Sequence, residues 1–269
     1  MIDLLRMFKR SVKKIANAVS GENPTDNVIE LKNVYKSFNG KKVLDGVNMN
    51  VKKGETLAVI GPSGCGKSTL LRLIIGLFPP TSGEISVKGN NIVNIDEDEL
   101  TNIRKHIGMV FQSSALFDSL SVGENVAFGL REHTGFSDDK IKEIVLSKLD
   151  MVGLKGSENL MPSELSGGMQ KRVGLARALA IDPEIILYDE PTTGLDPITA
   201  TSIEDLIIDL HKKIGNSAVV VTHMLTTVYK IADRIVMLHN GKVIEAGTPN
   251  ETIRSADPVI KHFITGKAS

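Results

Sequence analysis

The chain has 269 residues, and its 32 Lys and Arg side chains are balanced by 32 Asp and Glu side chains, so the formal net charge is zero. This length suits one large domain or two small ones, and the charge balance argues against a bulk nucleic-acid binder; the single cysteine, Cys65, excludes an internal disulfide framework and fits a reducing compartment. No apolar run approaches the roughly 20 residues of a membrane-spanning helix, so we expect a cytoplasmic protein that relies on other chains for any membrane-spanning part.

Residues 1–20 are predicted to form a basic amphipathic helix, because apolar side chains recur along one stripe at about 100° per residue. The stripe contains Leu4, Leu5, Phe8, Val12, Ile15, Ala16 and Val19, and the opposite side carries Arg6, Lys9, Arg10, Lys13 and Lys14. The basic residues also interrupt the apolar segment that a signal peptide would need. This pattern favours contact with an anionic membrane surface or a partner, and packing on its own domain or a frayed tail is the alternative. Residues 21–27 are predicted to be a linker, so we divide the chain into a helix and linker, 1–27, and a main domain, 28–269.

From Val28 onward, short strands alternate with helices. Strands are predicted at residues 28–34, 42–47, 55–60, 84–89, 106–112, 185–188, 218–222, 234–238 and 242–247. Helices are predicted at residues 68–77, where Pro79 and Pro80 stop the helix, at about residues 200–213, and between residues 222 and 234. Residues 120–180 lack strand signals. Alternation of strands and helices predicts a parallel α/β sheet, into which the helical segment is inserted.

Residues 61–69, G-P-S-G-C-G-K-S-T, match the phosphate-loop pattern in full. A predicted strand precedes the loop and a predicted helix follows it, and this context argues against a chance glycine-rich turn. The glycines let backbone N–H groups surround phosphates, and the helix N-terminus adds positive partial charge. We expect Lys67 to reach the β- and γ-phosphates of ATP and Ser68 to ligate Mg²⁺. The candidate nucleotide-binding residues are Gly61, Ser63, Gly64, Cys65, Gly66, Lys67, Ser68 and Thr69.

Two acidic residues, Asp189 and Glu190, end the apolar strand I-I-L-Y. In parallel sheets ligands lie beyond the carboxyl ends of the strands. We expect Asp189 to hold Mg²⁺ and Glu190 to orient or deprotonate the attacking water. An acidic pair after a strand, taken alone, would more often be a solvated loop.

The segment L-S-G-G-M-Q-K-R, residues 165–172, begins a predicted helix with Ser166 as its N-cap. Gly167 and Gly168 expose backbone N–H groups there, which makes an anion site. The segment lies between the phosphate loop and the acidic strand end. This ordered triple resembles the nucleotide-binding subunits of ABC transporters, over roughly residues 28–266. The resemblance implies an α/β phosphate-loop ATPase with a mixed or parallel core sheet, an antiparallel β-subdomain and an inserted helical subdomain.

The helical subdomain implied by the resemblance covers about residues 113–180. Just before it, Gln112 corresponds to a glutamine that contacts Mg²⁺ and the lytic water in this family. His223, at the end of A-V-V-V-T-H, corresponds to a histidine that contacts the γ-phosphate. Without the resemblance, a lone Gln would be read as a surface residue and a lone His as a packed one.

The resemblance also implies an adenine-stacking aromatic and a loop after the acidic pair. Phe38 is the expected aromatic, with Tyr35 as the competitor. The segment P-T-T-G-L-D-P resembles the family's D-loop, with Asp196 as its acid. Cys65 is interpreted as a small filler within the phosphate loop rather than a catalytic residue.

Partners follow from the same resemblance. Ser166, Gly167 and Gly168 point out of the helical segment, so a head-to-tail homodimer that sandwiches two ATP molecules would bring them to the nucleotide of the other chain. The residues that follow the L-S-G-G segment and the acidic pair are most similar to the Mla-type, MCE-associated lipid transporter ATPases. That similarity implies a membrane permease, which would contact this chain near residues 113–122, an MCE-domain lipid-binding protein and, in some systems, a STAS-domain subunit. It also implies no nucleic-acid partner and a peripheral position on the cytoplasmic face of the inner membrane.

Other classes remain open. The ATPase of an amino-acid or ion ABC importer would share these motifs. A soluble ABC ATPase that acts on ribosomes or chromosomes fits poorly, because the chain has one phosphate loop and only about a hundred residues between Gly61 and Leu165. A phosphate-loop kinase would not need the L-S-G-G segment.

Overall fold

The computed structural model describes residues 26–266. The predicted N-terminal helix, residues 1–20, lies outside the described residues. Among the described residues, no helix combines the length and the apolar character required to cross a membrane.

Short strands and helices alternate along the main domain. In chain order they are β1 Asn27–Phe38, β2 Lys41–Lys52, β3 Thr56–Ile60, α1 Lys67–Ile74, β4 Ser82–Val87, β5 Asn90–Asn91, α2 Glu97–Arg104, β6 Ile107–Val110, α3 Val122–His133, α4 Asp138–Met151, a 3₁₀ turn Pro162–Glu164, α5 Gly167–Leu179, β7 Ile185–Asp189, α6 Pro197–Ile214, β8 Ser217–Val221, α7 Leu225–Ile231, β9 Arg234–His239, β10 Lys242–Gly247, α8 Pro249–Ile253 and α9 Pro258–Thr265.

Ten strands form two sheets within residues 26–266. A four-stranded sheet has the order β2-β1-β4-β5, and all its pairs are antiparallel. A six-stranded sheet has the order β10-β9-β3-β8-β7-β6. Its strands are parallel except for β10, which pairs antiparallel with β9 at the edge. The predicted combination of a mixed core sheet and an antiparallel β-sheet is confirmed.

Strand β7 contributes to two hydrophobic cores because successive side chains point to opposite faces of a sheet. Ile185 and Leu187 join the core that contains α1 and the antiparallel sheet. Ile186 and Tyr188 join the core built by α3, α4 and α5. Every residue of β7 is buried, which explains the uninterrupted apolar sequence, since a strand covered on both faces needs no polar side.

Several element boundaries differ from the sequence prediction. Strand β6 ends at Val110 and β8 at Val221, so Gln112 and His223 lie in loops beyond the strand ends. The β6–β7 pairing ends at Val110 and Tyr188, and the carbonyl of Gln112 accepts from Lys171 of α5. Helix α1 ends at Ile74 rather than at residue 77.

The early end of α1 has a local cause. Gly76 adopts a left-handed φ of 70°, which only glycine takes without strain. Arg104 then binds the last carbonyls, donating to Ile75 O at 3.0 Å and to Gly76 O at 2.8 Å. These contacts close the helix before the prolines that were predicted to stop it.

Candidate functional site

The phosphate loop connects β3 to α1, and its backbone requires glycine. Gly61, Gly64 and Gly66 have positive φ values of 149°, 76° and 109°. A Cβ on Gly61 would lie 2.3 Å from the carbonyl oxygen of Leu238, and one on Gly66 would lie 2.9 Å from Val43 Cγ1. Helix α1 begins at Gly66 without a side-chain cap. Its first N–H groups are therefore available to an anionic ligand.

Lys67 folds back over this loop. Its Nζ donates to Gly61 O at 2.9 Å and to Pro62 O at 3.1 Å. The same atom lies 3.8 Å from Glu190 Oε1, and both side chains are almost fully buried. The loop carbonyls thus accept hydrogen bonds from the ammonium group, which lies close to the N-terminus of α1.

Ser68 and Asp189 provide oxygen ligands beside the loop. Ser68 Oγ donates to Asp189 Oδ1 at 2.8 Å. Burial raises the pKa of Asp189, and the hydrogen bond from Ser68 partly opposes that shift. A hydroxyl and a carboxylate are hard donors of the type that Mg²⁺ prefers, so this donor set fits the ion that the fold implies.

Glu190 is held in one orientation by the loops that follow β7 and β8. It has a left-handed φ of 49°, and its N–H donates to Val221 O at 2.9 Å. Its Oε2 accepts from Thr193 Oγ1 at 3.1 Å and from Thr222 Oγ1 at 3.2 Å. His223 Nδ1 lies 3.0 Å from Oε1. Both oxygens of the carboxylate are therefore held by neighbouring side chains, while the left-handed backbone of Glu190 is strained.

Most of these groups border one cavity of about 410 Å³, within the range of pockets that bury small ligands. It is lined by Phe38, Val43, Ser63, Gly64, Gly66, Lys67, Ser68, Thr69, Gln112, Glu190 and His223. The structure thus brings most of the predicted nucleotide-binding and catalytic residues together. Asp189 contacts Ser68 and does not line the cavity.

Phe38, rather than Tyr35, is the aromatic residue at this cavity. Its ring packs edge-on against Phe78, with centroids 5.5 Å apart, and 43% of the residue is exposed. The hydroxyl of Tyr35 lies against Gly46 on β2. Phe38 is therefore a partly exposed aromatic side chain at the end of β1 that lines the cavity, and Lys36 Nζ lies 4.9 Å from the centroid of its ring.

The candidate residues Ser166, Gly167 and Gly168 lie away from the cavity, at the start of α5. Ser166 Oγ accepts from Met169 N at 3.3 Å, as its N-cap position predicts. A Cβ on Gly168 would lie 2.6 Å from Thr199 Cγ2. The start of α5 therefore packs against the start of α6 of the same chain. Asp196 caps α6 through Ile198 N and Thr199 N, both at 3.0 Å.

Cys65 is half-buried in the phosphate loop, although it does not line the cavity. A Cβ on Gly61 would lie 3.0 Å from its Sγ. Burial raises the pKa of the thiol, and the nearby Lys67 charge opposes that shift.

Several residues that contact the site were not predicted from the sequence. Val43 on β2 lines the cavity, Thr193 and Thr222 hold Glu190, and Lys171 binds the backbone of Gln112. Thr222 directly precedes His223, and that position next to a predicted site residue was the available signal. For Val43 and Lys171, the relevant contact depends on the fold.

The fold and the cavity define a phosphate-loop ATPase of the α/β class. The ABC transporter family model matches residues 44–193, and the chain belongs to this family. It is an ATP-binding, ATP-hydrolysing subunit of an ABC transporter, as the sequence predicted.

Curated relatives extend over nearly the whole chain. The intermembrane phospholipid transport system ATP-binding protein MlaF of Haemophilus influenzae is 45% identical, over 90% of this chain and 92% of its own. Protein TRIGALACTOSYLDIACYLGLYCEROL 3, chloroplastic, of Arabidopsis thaliana is 47% identical, over 91% of this chain and 75% of its own. The probable ribonucleotide transport ATP-binding protein mkl of Mycobacterium leprae is 40% identical, over 92% of this chain and 71% of its own.

A solved structure supports the same fold. The ATP-binding cassette MJ0796, in a dimer bound to ADP and Pi, superposes with a TM-score of 0.74 at 38% identity, covering 81% of this chain and 98% of that one. The predicted ABC fold is confirmed, and this similar cassette forms dimers.

Proposed function

We propose that this chain powers the movement of phospholipid or a related lipid between membranes, as the ATPase of a Mla-type ABC system. The observation that carries this proposal is the 45% identity to a phospholipid transport ATPase over 90% of the chain. The proposed partners are a membrane permease, an MCE-domain lipid-binding protein and a STAS-domain subunit. The proposed position is peripheral, on the cytoplasmic face of the inner membrane.

The phosphate loop is proposed to hold the triphosphate of ATP. Backbone N–H groups of the loop and the uncapped start of α1 would bind phosphate oxygens. Lys67 would exchange its bonds to Gly61 O and Pro62 O for the β- and γ-phosphates, since both kinds of acceptor lie within reach of a flexible side chain. Phe38 would stack on the adenine through its exposed ring.

Ser68, Asp189 and Gln112 are proposed to hold Mg²⁺. The ion, when bound, neutralises charge that develops on the phosphate oxygens. The Ser68–Asp189 hydrogen bond supports this assignment because it already orients two of the three ligands. Burial raises the pKa of Asp189. A bound cation would stabilise the charged carboxylate and so offset this effect of burial.

Glu190 is proposed to be the general base that accepts a proton from the attacking water. Thr193 and Thr222 donate to one carboxylate oxygen, which fixes the direction of the group. His223 bonds to the same carboxylate and lines the cavity, so it would both orient Glu190 and contact the γ-phosphate.

The residues Ser166, Gly167 and Gly168 are proposed to complete the ATP site of a second copy. Two observations support this: they do not line the cavity of their own chain, and the similar cassette MJ0796 forms dimers. A head-to-tail homodimer would then contain two composite sites.

The permease is proposed to dock at residues 113–122 and the adjacent face of α3. Phe117 and Phe128 are exposed by 43% and 42%, and their rings pack with centroids 4.8 Å apart. A pair of exposed aromatic rings in the segment that follows Gln112 along the chain suits an apolar partner helix.

Ribonucleotide transport is the second candidate cargo, because mkl carries that description at 40% identity. The two candidates are separated by purifying the native membrane complex, identifying its subunits and reconstituting it in liposomes. ATP-dependent transfer of labelled phospholipid to acceptor vesicles, absent with Glu190→Gln, is the expected result. ATP-dependent ribonucleotide uptake without phospholipid transfer would reject the lipid assignment.

A further inference from the structure

One face of helix α5 holds the backbone that follows Gln112. The ammonium of Lys171 donates to Gln112 O. Six residues further along α5, Arg177 Nη2 and Nη1 donate to Ser114 O and Ala115 O, each at 2.7 Å. Between the two cations, a Cβ on Gly174 would lie 3.6 Å from Ser114 Cβ. Helix and loop are thus in contact along their shared length.

The loop needs this support because its backbone is strained. Ser114 and Ala115 have left-handed φ values of 62° and 46°, a conformation that is uncommon for residues with a Cβ. Hydrogen bonds from charged donors are stronger than neutral ones. The bonds from Lys171 and Arg177 therefore keep residues 112–115 in one conformation.

Lys171 stands out because it is buried, at 6% exposure, and because its partner is the backbone of a residue that lines the cavity. The carbonyl oxygen of Gln112 accepts from α5, and Gln112 also lines the cavity. A change in the Lys171 contact would therefore move the Gln112 side chain relative to Ser68 and Asp189.

We infer that Lys171 is a positioning residue for ATP hydrolysis, which sets the place of Gln112 at the nucleotide cavity by holding its carbonyl against α5. This inference rests on the proposed role of Gln112. Lys171 lies five residues after Ser166, so about 7 Å of rigid helix separates the two. Helix α5 would therefore connect two nucleotide sites. Ser166 at its start would contact the nucleotide of the partner chain, and Lys171 would hold Gln112 at the nucleotide of its own chain.

The test measures ATPase activity in the assembled transporter, with the full chain carrying Lys171→Met, Lys171→Arg or Gln112→Ala. Lys148→Met is the matched control. Lys148 is also a buried lysine of the helical segment, at 7% exposure, and it pairs with Asp182 rather than with the loop after Gln112. ATP affinity, kcat, the Mg²⁺ concentration for half-maximal rate and the unfolding temperature are recorded for each variant.

Lys171→Met is expected to lower kcat between about 10- and 100-fold, the scale of a misplaced catalytic group, and to raise the Mg²⁺ requirement. Its ATP affinity should stay within about twofold of the parent. Lys171→Arg should recover most of the rate, because it keeps a cation at the carbonyl. Lys148→Met should lower the unfolding temperature without changing the Mg²⁺ requirement. An unchanged Mg²⁺ requirement in Lys171→Met, or equal effects of the two Lys→Met changes on it, would overturn the inference.

A double-mutant cycle separates this inference from the role of Gln112 itself. In the Gln112→Ala background, Lys171→Met should add little further loss, since both changes remove the same group from the cavity. Multiplicative losses would reject the Lys171–Gln112 coupling and leave the role of Gln112 intact. Full activity of Gln112→Ala would instead reject the proposed role of Gln112, and the inference with it.

Hydrogen exchange gives a readout that does not depend on activity. Faster exchange of amides in residues 112–118 is expected for Lys171→Met and not for Lys148→Met. Equal exchange of these amides in Lys171→Met and the parent would overturn the inference. If Lys171→Met does not fold, Lys171→Gln, which retains a neutral donor, takes its place in the same comparison.

Discussion

Glu190 illustrates how much of the site depends on single side chains. Its φ of 49° is unusual for a residue with a Cβ, and it is maintained by a backbone bond to Val221 and side-chain bonds to Thr222 and His223. Such strain persists only where surrounding contacts enforce it. The strained backbone and these hydrogen bonds together hold the Glu190 carboxylate in one orientation.

Glu190→Gln should bind ATP and hydrolyse it about 10² to 10⁴ times more slowly, because the amide cannot accept the proton of the water. Single-turnover hydrolysis and equilibrium nucleotide binding measure the two effects. Glu184→Gln, a change at an exposed residue paired with Lys88, serves as the control. Turnover of Glu190→Gln at the parent rate would show that another group is the base.

Cys65 gives a pH-dependent prediction. Burial raises the pKa of its thiol, so at any given pH less of the reactive thiolate is present than in a free cysteine. Maleimide labelling should therefore be slower at neutral pH, and its rate should rise at higher pH than for a model thiol. The adduct should block ATP binding, and ATP with Mg²⁺ should slow labelling.

Mass spectrometry measures this labelling directly, and Cys65→Ala, in a chain with no other cysteine, is the unlabelled control. Identical rates with and without nucleotide would place the thiol away from the bound phosphates.

At the scale of elements, the start of α5 is expected to act across a dimer. Ser166→Arg should abolish hydrolysis while nearly preserving ATP binding, because the bulky cation would block the composite site. Ser166 also caps α5, and loss of a cap costs about 0.5–2 kcal/mol. Ser166→Ala removes the hydroxyl without adding a bulky cation, so it separates loss of the cap and of the hydroxyl from blockage of the site by arginine.

Mixing Ser166→Arg chains with Lys67→Ala chains tests the composite site. Half of the dimers would be mixed and each would have one intact site of two, so activity should return to about a quarter of the parent value. Dimer formation is checked by analytical ultracentrifugation with ATP. If confirmed mixed dimers show no ATPase activity, the second chain does not complete the ATP site.

Elements with continuous apolar sequence were predictable, and an element with few buried residues was not. Strands β3, β7 and β8 are buried throughout, so their sequences carry a clear signal. Helix α2, of eight residues, has one buried residue, Leu100, and begins at the Asp96 cap. Its weak apolar pattern explains why the sequence did not reveal it.

The site could be predicted where its residues are adjacent in sequence and could not where distant elements meet. The phosphate loop and the Asp189–Glu190 pair each occupy consecutive positions. The contact between Lys171 and Gln112 joins residues 59 positions apart, and the Thr222–Glu190 bond joins residues 32 apart. Neither pairing has a periodic signal, because each depends on how distant elements pack in the fold.

At the scale of the whole molecule, residues 1–20 are predicted to contact an anionic membrane surface or the permease. Each basic residue near such a membrane contributes about 1 kcal/mol, and less as salt rises. Deleting residues 1–20 should leave ATPase activity unchanged and weaken co-sedimentation with anionic vesicles. Replacing Leu5, Phe8 and Val12 with Asp should weaken it equally at constant length.

Vesicles of neutral lipid are the control for this measurement. Undiminished sedimentation of the shortened chain would reject the membrane contact. Loss of ATPase activity on deletion would instead show that residues 1–20 belong to the fold.

Strand β7 also bears on how the molecule melts. Its alternate side chains belong to two hydrophobic cores, so neither core can lose its packing without uncovering the strand that the other core requires. Heat denaturation of the ATPase domain should therefore give one calorimetric endotherm whose calorimetric and van't Hoff enthalpies agree. Although the helical segment has its own core, it should have no separate melting temperature.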